Sequence, residues 1–183
     1  MKFEIIIAGF GGQGVLSMGM SLAYAAMIEG KEVSWMPSYG PEMRGGTANC
    51  NIIISSKPIS SPIINTFDLV VALNQPSLNK FEKQIRDGGY LLYEKDQIIN
   101  PPTITQISIF GISATKEAVK LENKKAMNMV MLGAVLAIEP IVSVGSILKA
   151  LEKVLPSRHH HLIPLNKKAL LMGQKLIQPF FGN

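Results

Sequence analysis

A single cysteine, Cys50, among 183 residues rules out an intramolecular disulfide and cannot supply the four thiolates of a cubane cluster. Charge is scarce as well, at 17% of residues against 47% hydrophobic. So low a share for a globular chain suggests that a partner covers part of its apolar surface. Aromatic residues make up only 7%, none of them interleaved with the basic cluster of residues 149–183, and no RNA- or DNA-binding motif occurs. The longest apolar stretch, Met127 to Ile138, contains Asn128 and stops at Glu139 and Pro140. It falls short of the roughly 20 residues that a membrane span needs and reads as a buried core helix. No basic region with an apolar signal segment opens the chain, and with one cysteine this points to the cytoplasm. Asp87-Gly88-Gly89 lacks the first glycine of a Gly-Asp-Gly thiamine diphosphate motif and reads as a helix-to-strand turn.

What is present begins at once. The apolar strand Phe3 to Ala8 runs into glycines at Gly9, Gly11 and Gly14, a G-x-G-x-x-G turn in its proper strand-to-helix setting. The first glycine allows a tight turn, the second lets phosphates approach the backbone, and the third lets the following helix pack against the strand. Amides at the helix start then face an anion, favoured by the helix dipole. A nicotinamide site also needs an acidic residue about 20 positions on, at the end of the second strand. That strand, Glu32 to Met36, exits through Met36, Pro37 and Ser38. A P-loop needs Lys and Ser or Thr after the last glycine, where Val15 and Leu16 stand. The turn therefore suits phosphates without suiting NAD or ATP, or else is a tight turn with nothing bound.

Strands at Phe3 to Ala8, Glu32 to Met36, Asn49 to Ser55, Leu69 to Leu73, Tyr90 to Tyr93 and Thr105 to Phe110 alternate with helices. The helices span about Gly12 to Ile28, Pro76 to Ile85, Ala114 to Leu121, Lys124 to Ile138, Val144 to Val154 and Asn166 to Ile177. This pattern predicts an α/β fold: a mostly parallel sheet, Rossmann-like and three-layered, with a helical C-terminal third. Residues 1–183 read as one domain without repeat or linker, and Asn100-Pro101-Pro102 as an internal turn.

Residues 1–148 carry 12 basic and 12 acidic side chains, while 149–183 carry six basic and one acidic, so the whole formal +5 sits in the tail. Lys149, Lys153, Arg158, Lys167, Lys168 and Lys175 suit an acidic partner, the phosphates of a large anionic cosubstrate, or simply a solvated helical face. His159, His160 and His161 fan out in helix or strand, so one metal cannot easily collect all three. Cys50 reads as a small apolar core residue.

Pro37-Ser-Tyr-Gly-Pro-Glu-Met-Arg-Gly-Gly-Thr-Ala-Asn-Cys50 follows the second strand and is too rich in glycine and charge for a plain connection. Together with GFGGQGV about 25 residues earlier, it resembles the gamma subunit of the 2-oxoacid:ferredoxin oxidoreductases. The resemblance continues through Ile59-Ser-Ser-Pro62, Phe67 to Leu73 with Asn74-Gln75-Pro76, Asn128 to Gly133, and Ile163-Pro-Leu-Asn166 with Ala169 and Gly173.

The resemblance implies a thiamine-dependent complex that oxidatively decarboxylates a 2-oxoacid to acyl-CoA and passes electrons to ferredoxin. It implies alpha and beta subunits and a ferredoxin-like delta subunit, with thiamine diphosphate and iron–sulfur clusters held by those partners. This chain alone is then expected to be non-catalytic and to bind no cofactor except, through its loops, coenzyme A. Gly9, Gly11, Gly12 and Gly14 would admit phosphate, Gln13 would hydrogen-bond, Ser38 would join them as a binding residue, and Tyr39, Gly40 and Pro41 would shape the turn of the second loop. Arg44 suits a bidentate phosphate contact or a local ion pair with Glu42, and Gly45 and Gly46 allow close backbone approach. The loop suits 2-oxoglutarate and 2-oxoisovalerate members, with pyruvate behind them. A free-standing dinucleotide-binding oxidoreductase and a non-catalytic assembly module are the alternatives.

Overall fold

The computed structural model describes residues 1–39 and 47–181. Gly40, Pro41, Glu42, Arg44, Gly45 and Gly46 lie outside the described residues, as does the side chain of Tyr39. Six strands form one sheet: β1 (Lys2–Phe10), β2 (Glu32–Tyr39), β3 (Thr47–Ser55), β4 (Phe67–Ala72), β5 (Ile85–Glu94) and β6 (Ser108–Ile112). Their order is β2-β3-β1-β4-β5-β6. β1, β4, β5 and β6 are mutually parallel, and β3 alone runs against its neighbours β1 and β2. The α-helices are α1 (Val15–Ile28), α2 (Gln75–Phe81), α3 (Ala114–Lys120), α4 (Met127–Ile138), α5 (Val144–Val154) and α6 (Ile163–Ile177). Among the described residues, no helix is long and apolar enough to cross a membrane.

Alternation along β1 divides the core. Ile5 and Ile7 face one side with Ile52 and Ile54 of β3 and Leu69 and Val71 of β4, while Ile6 and Ala8 face the other with Val70 and Ala72. The first side carries α1, α3, α4, α5 and α6; the second carries α2, with Ile98 and Ile64 from loops packing beside it. The three layers expected are therefore uneven, five helices against one. α1 packs against the sheet closely through Gly19, whose missing Cβ would lie 2.4 Å from the Cys50 sulfur.

Helix ends follow local chemistry. Asn74 caps α2 by accepting the Ser77 amide, Ser143 caps α5 by accepting the Ser146 amide, and Pro164 sits in the first turn of α6, where no donor is lost. Two sequence expectations are corrected here. The helix after the glycine turn starts at Val15 rather than about Gly12, because Gly12 and Gly14 hold φ of 94° and 79°. Asp87-Gly88-Gly89 lies inside β5, where the β4–β5 register shifts and Gly88 takes φ 76°, so it is a strand irregularity and not a helix-to-strand turn.

The end of α1 is tied to the start of α5. Glu29 accepts the Ser143 amide at 2.7 Å and pairs with Lys31 at 2.9 Å, and Lys31 also donates to the Ile141 carbonyl. Desolvation would raise the Glu29 pKa, but the Ser143 amide, Lys31 and the Ser143 and Ser146 hydroxyls outweigh it and bring it down to about 2. A depressed carboxylate contributes stability that is present above its unfolded value near 4.5 and is lost as pH falls towards 2. Glu29→Gln is expected to cost about 2 kcal/mol at pH 7, after allowance for solvent screening. In urea unfolding, the gap between variant and parent should close as the pH is lowered to 2.

Candidate functional site

The glycine turn joins β1 to α1 at the carboxyl ends of the parallel strands. α1 leaves β1 towards one side of the sheet and α2 leaves the neighbouring β4 towards the other, which makes β1/β4 a switch point where α/β sheets place ligands. Each glycine has its own reason. Gly9 is still in β1, paired with Ala48, and a Cβ there would meet the Gln13 Oε1 at 2.6 Å. Gly11 is a part-buried turn residue. Gly12 is exposed, and a Cβ built on it meets nothing within 4 Å. Gly14 caps α1 in the left-handed region and presses on Asn128, 2.5 Å from its Nδ2 to a built Cβ. The third glycine therefore admits α4 rather than packing α1 on β1.

Gln13 is held inward. Its Oε1 accepts the Phe10 amide at 2.6 Å and the Asn74 Nδ2 at 3.3 Å, while its Nε2 donates to the Leu73 carbonyl at 3.2 Å. Its side chain locks the turn to the end of β4, and the open position falls to Gly12. Among the described residues α1 has no side-chain cap and no acidic residue in its first turn, so its own sequence leaves the positive pole of its amino end uncompensated. Ser38 and Tyr39 end β2 opposite Asn49 and Ala48 of β3.

Beside Gly12 opens a cleft of about 430 Å³, lined also by Gln13, Gln97, Thr115, Lys124, Lys125 and Met127. Gln97 and Thr115 follow the ends of β5 and β6, and Lys124 and Lys125 form a 3₁₀ turn leading into α4. Both lysines are exposed, and among the described residues neither makes an ion pair. The wall is fixed from below by Glu94, fully buried, which accepts the Thr115 amide at 2.9 Å, the Thr115 hydroxyl at 3.1 Å and the Asp96 amide at 3.1 Å. Burial raises the Glu94 pKa, against the pull of those donors. Two ammonium groups, an open glycine backbone, an amide and a hydroxyl suit a phosphate-bearing ligand.

The sequence did not single out Lys124, Lys125, Thr115, Gln97 or Glu94. Only the unpaired Lys124-Lys125 at a helix start was a signal, and it lies more than a hundred residues from Gly12. Cys50 is fully buried, with burial pushing its thiol up to about 12, so no thiolate is available near neutral pH. Iodoacetamide is expected to leave the native chain unlabelled and to modify it once in urea. Among the described residues, no group of three or more His, Cys, Asp or Glu is placed to hold a metal.

Residues 4–176 match the pyruvate ferredoxin/flavodoxin oxidoreductase family. The chain belongs to that family. It is a gamma-type chain: it superposes on the gamma subunit of a keto/oxoacid ferredoxin oxidoreductase from Geobacter sulfurreducens with TM-score 0.81 and 29% identity, covering 96% of this chain and 98% of that one. Subunit KorC of 2-oxoglutarate synthase from Methanothermobacter marburgensis is 34% identical over 186 residues, covering 96% of this chain and all of KorC. Subunit VorA of ketoisovalerate oxidoreductase from Methanothermobacter thermautotrophicus is 48% identical over 137 residues, 75% of this chain, and that match spans only 28% of VorA. The resemblance and the fold read from the gamma-type sequence are borne out.

Proposed function

We propose that this gamma-type chain is one unit over residues 1–183 and works in a cytoplasmic complex that oxidatively decarboxylates a 2-oxoacid to acyl-CoA, with ferredoxin as electron acceptor. Within that complex it holds the phosphates of coenzyme A. The observation that carries the reading is the open, doubly basic cleft beside Gly12 at the carboxyl ends of β1, β5 and β6. Gly12 and the amino end of α1 present backbone amides, Lys124 and Lys125 present charge, and Thr115 and Gln97 present neutral donors. Gly9, Gly11, Gln13 and Gly14 shape this pocket from within. Ser38, Tyr39, Glu42, Arg44, Gly45 and Gly46 belong to the second loop, with Arg44 either contacting phosphate or pairing with Glu42.

The family's thiamine diphosphate and iron–sulfur clusters do not fit this chain. One buried thiol cannot ligate a cluster, and the Asp87 region is a strand irregularity. Those groups supply decarboxylation and electron transfer from alpha, beta and ferredoxin-like delta subunits. This chain's residues bind and orient the acyl acceptor. 2-Oxoglutarate and 2-oxoisovalerate are the substrates favoured, in keeping with the names of KorC and VorA, with pyruvate behind them. A 2-oxoglutarate:ferredoxin oxidoreductase from Magnetococcus marinus, solved with 2-oxoglutarate, coenzyme A and succinyl-CoA bound, shares the fold at TM-score 0.87 with 23% identity.

Reconstitution tests the reading. The purified chain should be colourless and should reduce no viologen dye with any 2-oxoacid, whereas addition of thiamine-binding and cluster-binding partners should give dye reduction that depends on coenzyme A. Turnover by the chain alone, or full activity of the partners without it, overturns the proposal.

A further inference from the structure

The two margins of the sheet differ. At one, Phe110 of β6 packs against Phe180 and Phe181 of the C-terminal turn, with ring centroids 5.3 and 5.7 Å away. At the other, β2 is the last strand, and among the described residues nothing pairs with its outer edge. Such edges are ordinarily blunted by lysine, a bulge or proline. β2 has no lysine and keeps an unbroken register with β3, and its Pro37 lies towards the far end, which leaves residues 32–36 open.

α1 lies over β2 and β3 at this margin, and Gly19 brings it so close that a built Cβ would stand 3.1 Å from the Trp35 ring nitrogen. Surface helices ordinarily turn charged residues outward. α1 has no charged residue at all. Leu16, Met20, Tyr24 and Met27, spaced four, four and three apart, share the side turned away from the buried Leu22 and Ala26. Tyr24 is 40% exposed and Met27 58%, with Ile28 and Met36 each at 44%. Val33 and Trp35 of β2, partly buried beside α1, continue this apolar surface from helix to strand.

We propose that this face binds a second copy of the same chain about a two-fold axis, β2 edge to β2 edge and α1 beside α1. The inference goes beyond the oxidoreductase reading and does not depend on it. A two-fold contact sets a surface against itself, so a charged face repels its copy and a charge-free one does not. Antiparallel pairing centred on Ser34 uses only residues 32–36, sets Val33 opposite Trp35 of the second copy, and places the one charge, Glu32, opposite Met36. The spacing agrees. With strands about 4.8 Å apart and each α1 above its own β2 and β3, the two helix axes stand roughly 10 Å apart, as packed helices do. α1 is about 21 Å long and β2 about 26 Å, so helix side and strand edge together bury on the order of 1,000 Å² in total, the lower bound for a specific interface. The dimer is accordingly expected to dissociate in the micromolar range.

The test uses the purified full chain and the assembled complex. Because Cys50 is fully buried, Met27→Cys supplies the one accessible thiol of this chain, and Val119→Cys, at an exposed position of α3, is its control. A short bismaleimide is expected to join two Met27→Cys copies in both samples and to leave Val119→Cys copies unjoined. By sedimentation at about 100 µM the parent chain should have twice the mass of one chain, and Met20→Glu with Met27→Glu should raise the dissociation constant tenfold or more without lowering the melting temperature. A parent chain that stays monomeric at that concentration overturns the proposal, as does cross-linking of Val119→Cys as readily as of Met27→Cys. Should the glutamate pair melt lower, the Met27→Cys cross-link supports or overturns the proposal by itself. An assembled complex in which Met27→Cys joins only to a different subunit also overturns it, assigning the face to that subunit.

Discussion

Replacement of Lys124 and Lys125 by alanine in the assembled complex is expected to raise the KM for coenzyme A by about ten- to a hundredfold. Both ammonium groups border the cleft beside Gly12 and neither is engaged by a carboxylate among the described residues, so each is available to a phosphate. The same substitution should leave exchange of carbon dioxide with the 2-oxoacid carboxyl nearly intact, since in the proposed complex that step precedes acyl transfer and takes place on the partners. Pantetheine, which has the thiol arm without the nucleotide phosphates, should be used equally well by parent and variant. A matching loss for both acceptors would show that the lysines hold the subunit in place rather than the phosphates. Because both side chains are exposed, fold stability should change little.

Gly173→Ala is expected to be among the most damaging single methyls at the described glycines, lowering stability by about 3 kcal/mol or more and giving an insoluble product at 37 °C. α4 and α6 cross so closely that a Cβ on Gly173 would lie 1.9 Å from the Val130 carbonyl oxygen, and one on Gly133 would lie 2.0 Å from the Leu170 carbonyl oxygen. Both obstacles are backbone, which cannot rotate away. Alanine would otherwise favour the helix by up to about 1 kcal/mol over glycine, so the sign of the measured change tells which effect wins. Gly145→Ala is the control: its built Cβ meets only the Ser143 hydroxyl, at 3.8 Å, and the variant should melt at or above the parent's temperature. Thermal unfolding by circular dichroism distinguishes the pair.

These examples show what the sequence displayed and what it hid. All six strands and six helices were legible, because strands of Ile and Val bounded by glycine and proline, and helices with caps at Asn74 and Ser143, leave local marks. Gly133 and Gly173 stood out only through resemblance, and the reason for them is a contact between residues forty positions apart. The opposite course of β3 was not readable from its apolar run, since a buried strand looks the same in either direction. The glycine turn announced its place but not its division of labour: Gln13, an apparent ligand donor, is spent on Phe10, Leu73 and Asn74, while the open backbone is at Gly12. Lys124 and Lys125 were hidden because an unremarkable helix start becomes the wall of a cleft only when β6 and α3 return it to the first turn. Glu94 was hidden for a related reason, its partners Thr115 and Asp96 being meaningful only once β5 and α3 are in place.

The most direct measurement is a structure of the assembled complex with coenzyme A bound. The phosphates are expected within hydrogen-bonding reach of the Gly12 amide and of the Lys124 and Lys125 ammonium groups, with Thr115 and Gln97 alongside. Coenzyme A density seated wholly on the other subunits, with the cleft beside Gly12 empty, would contradict the account.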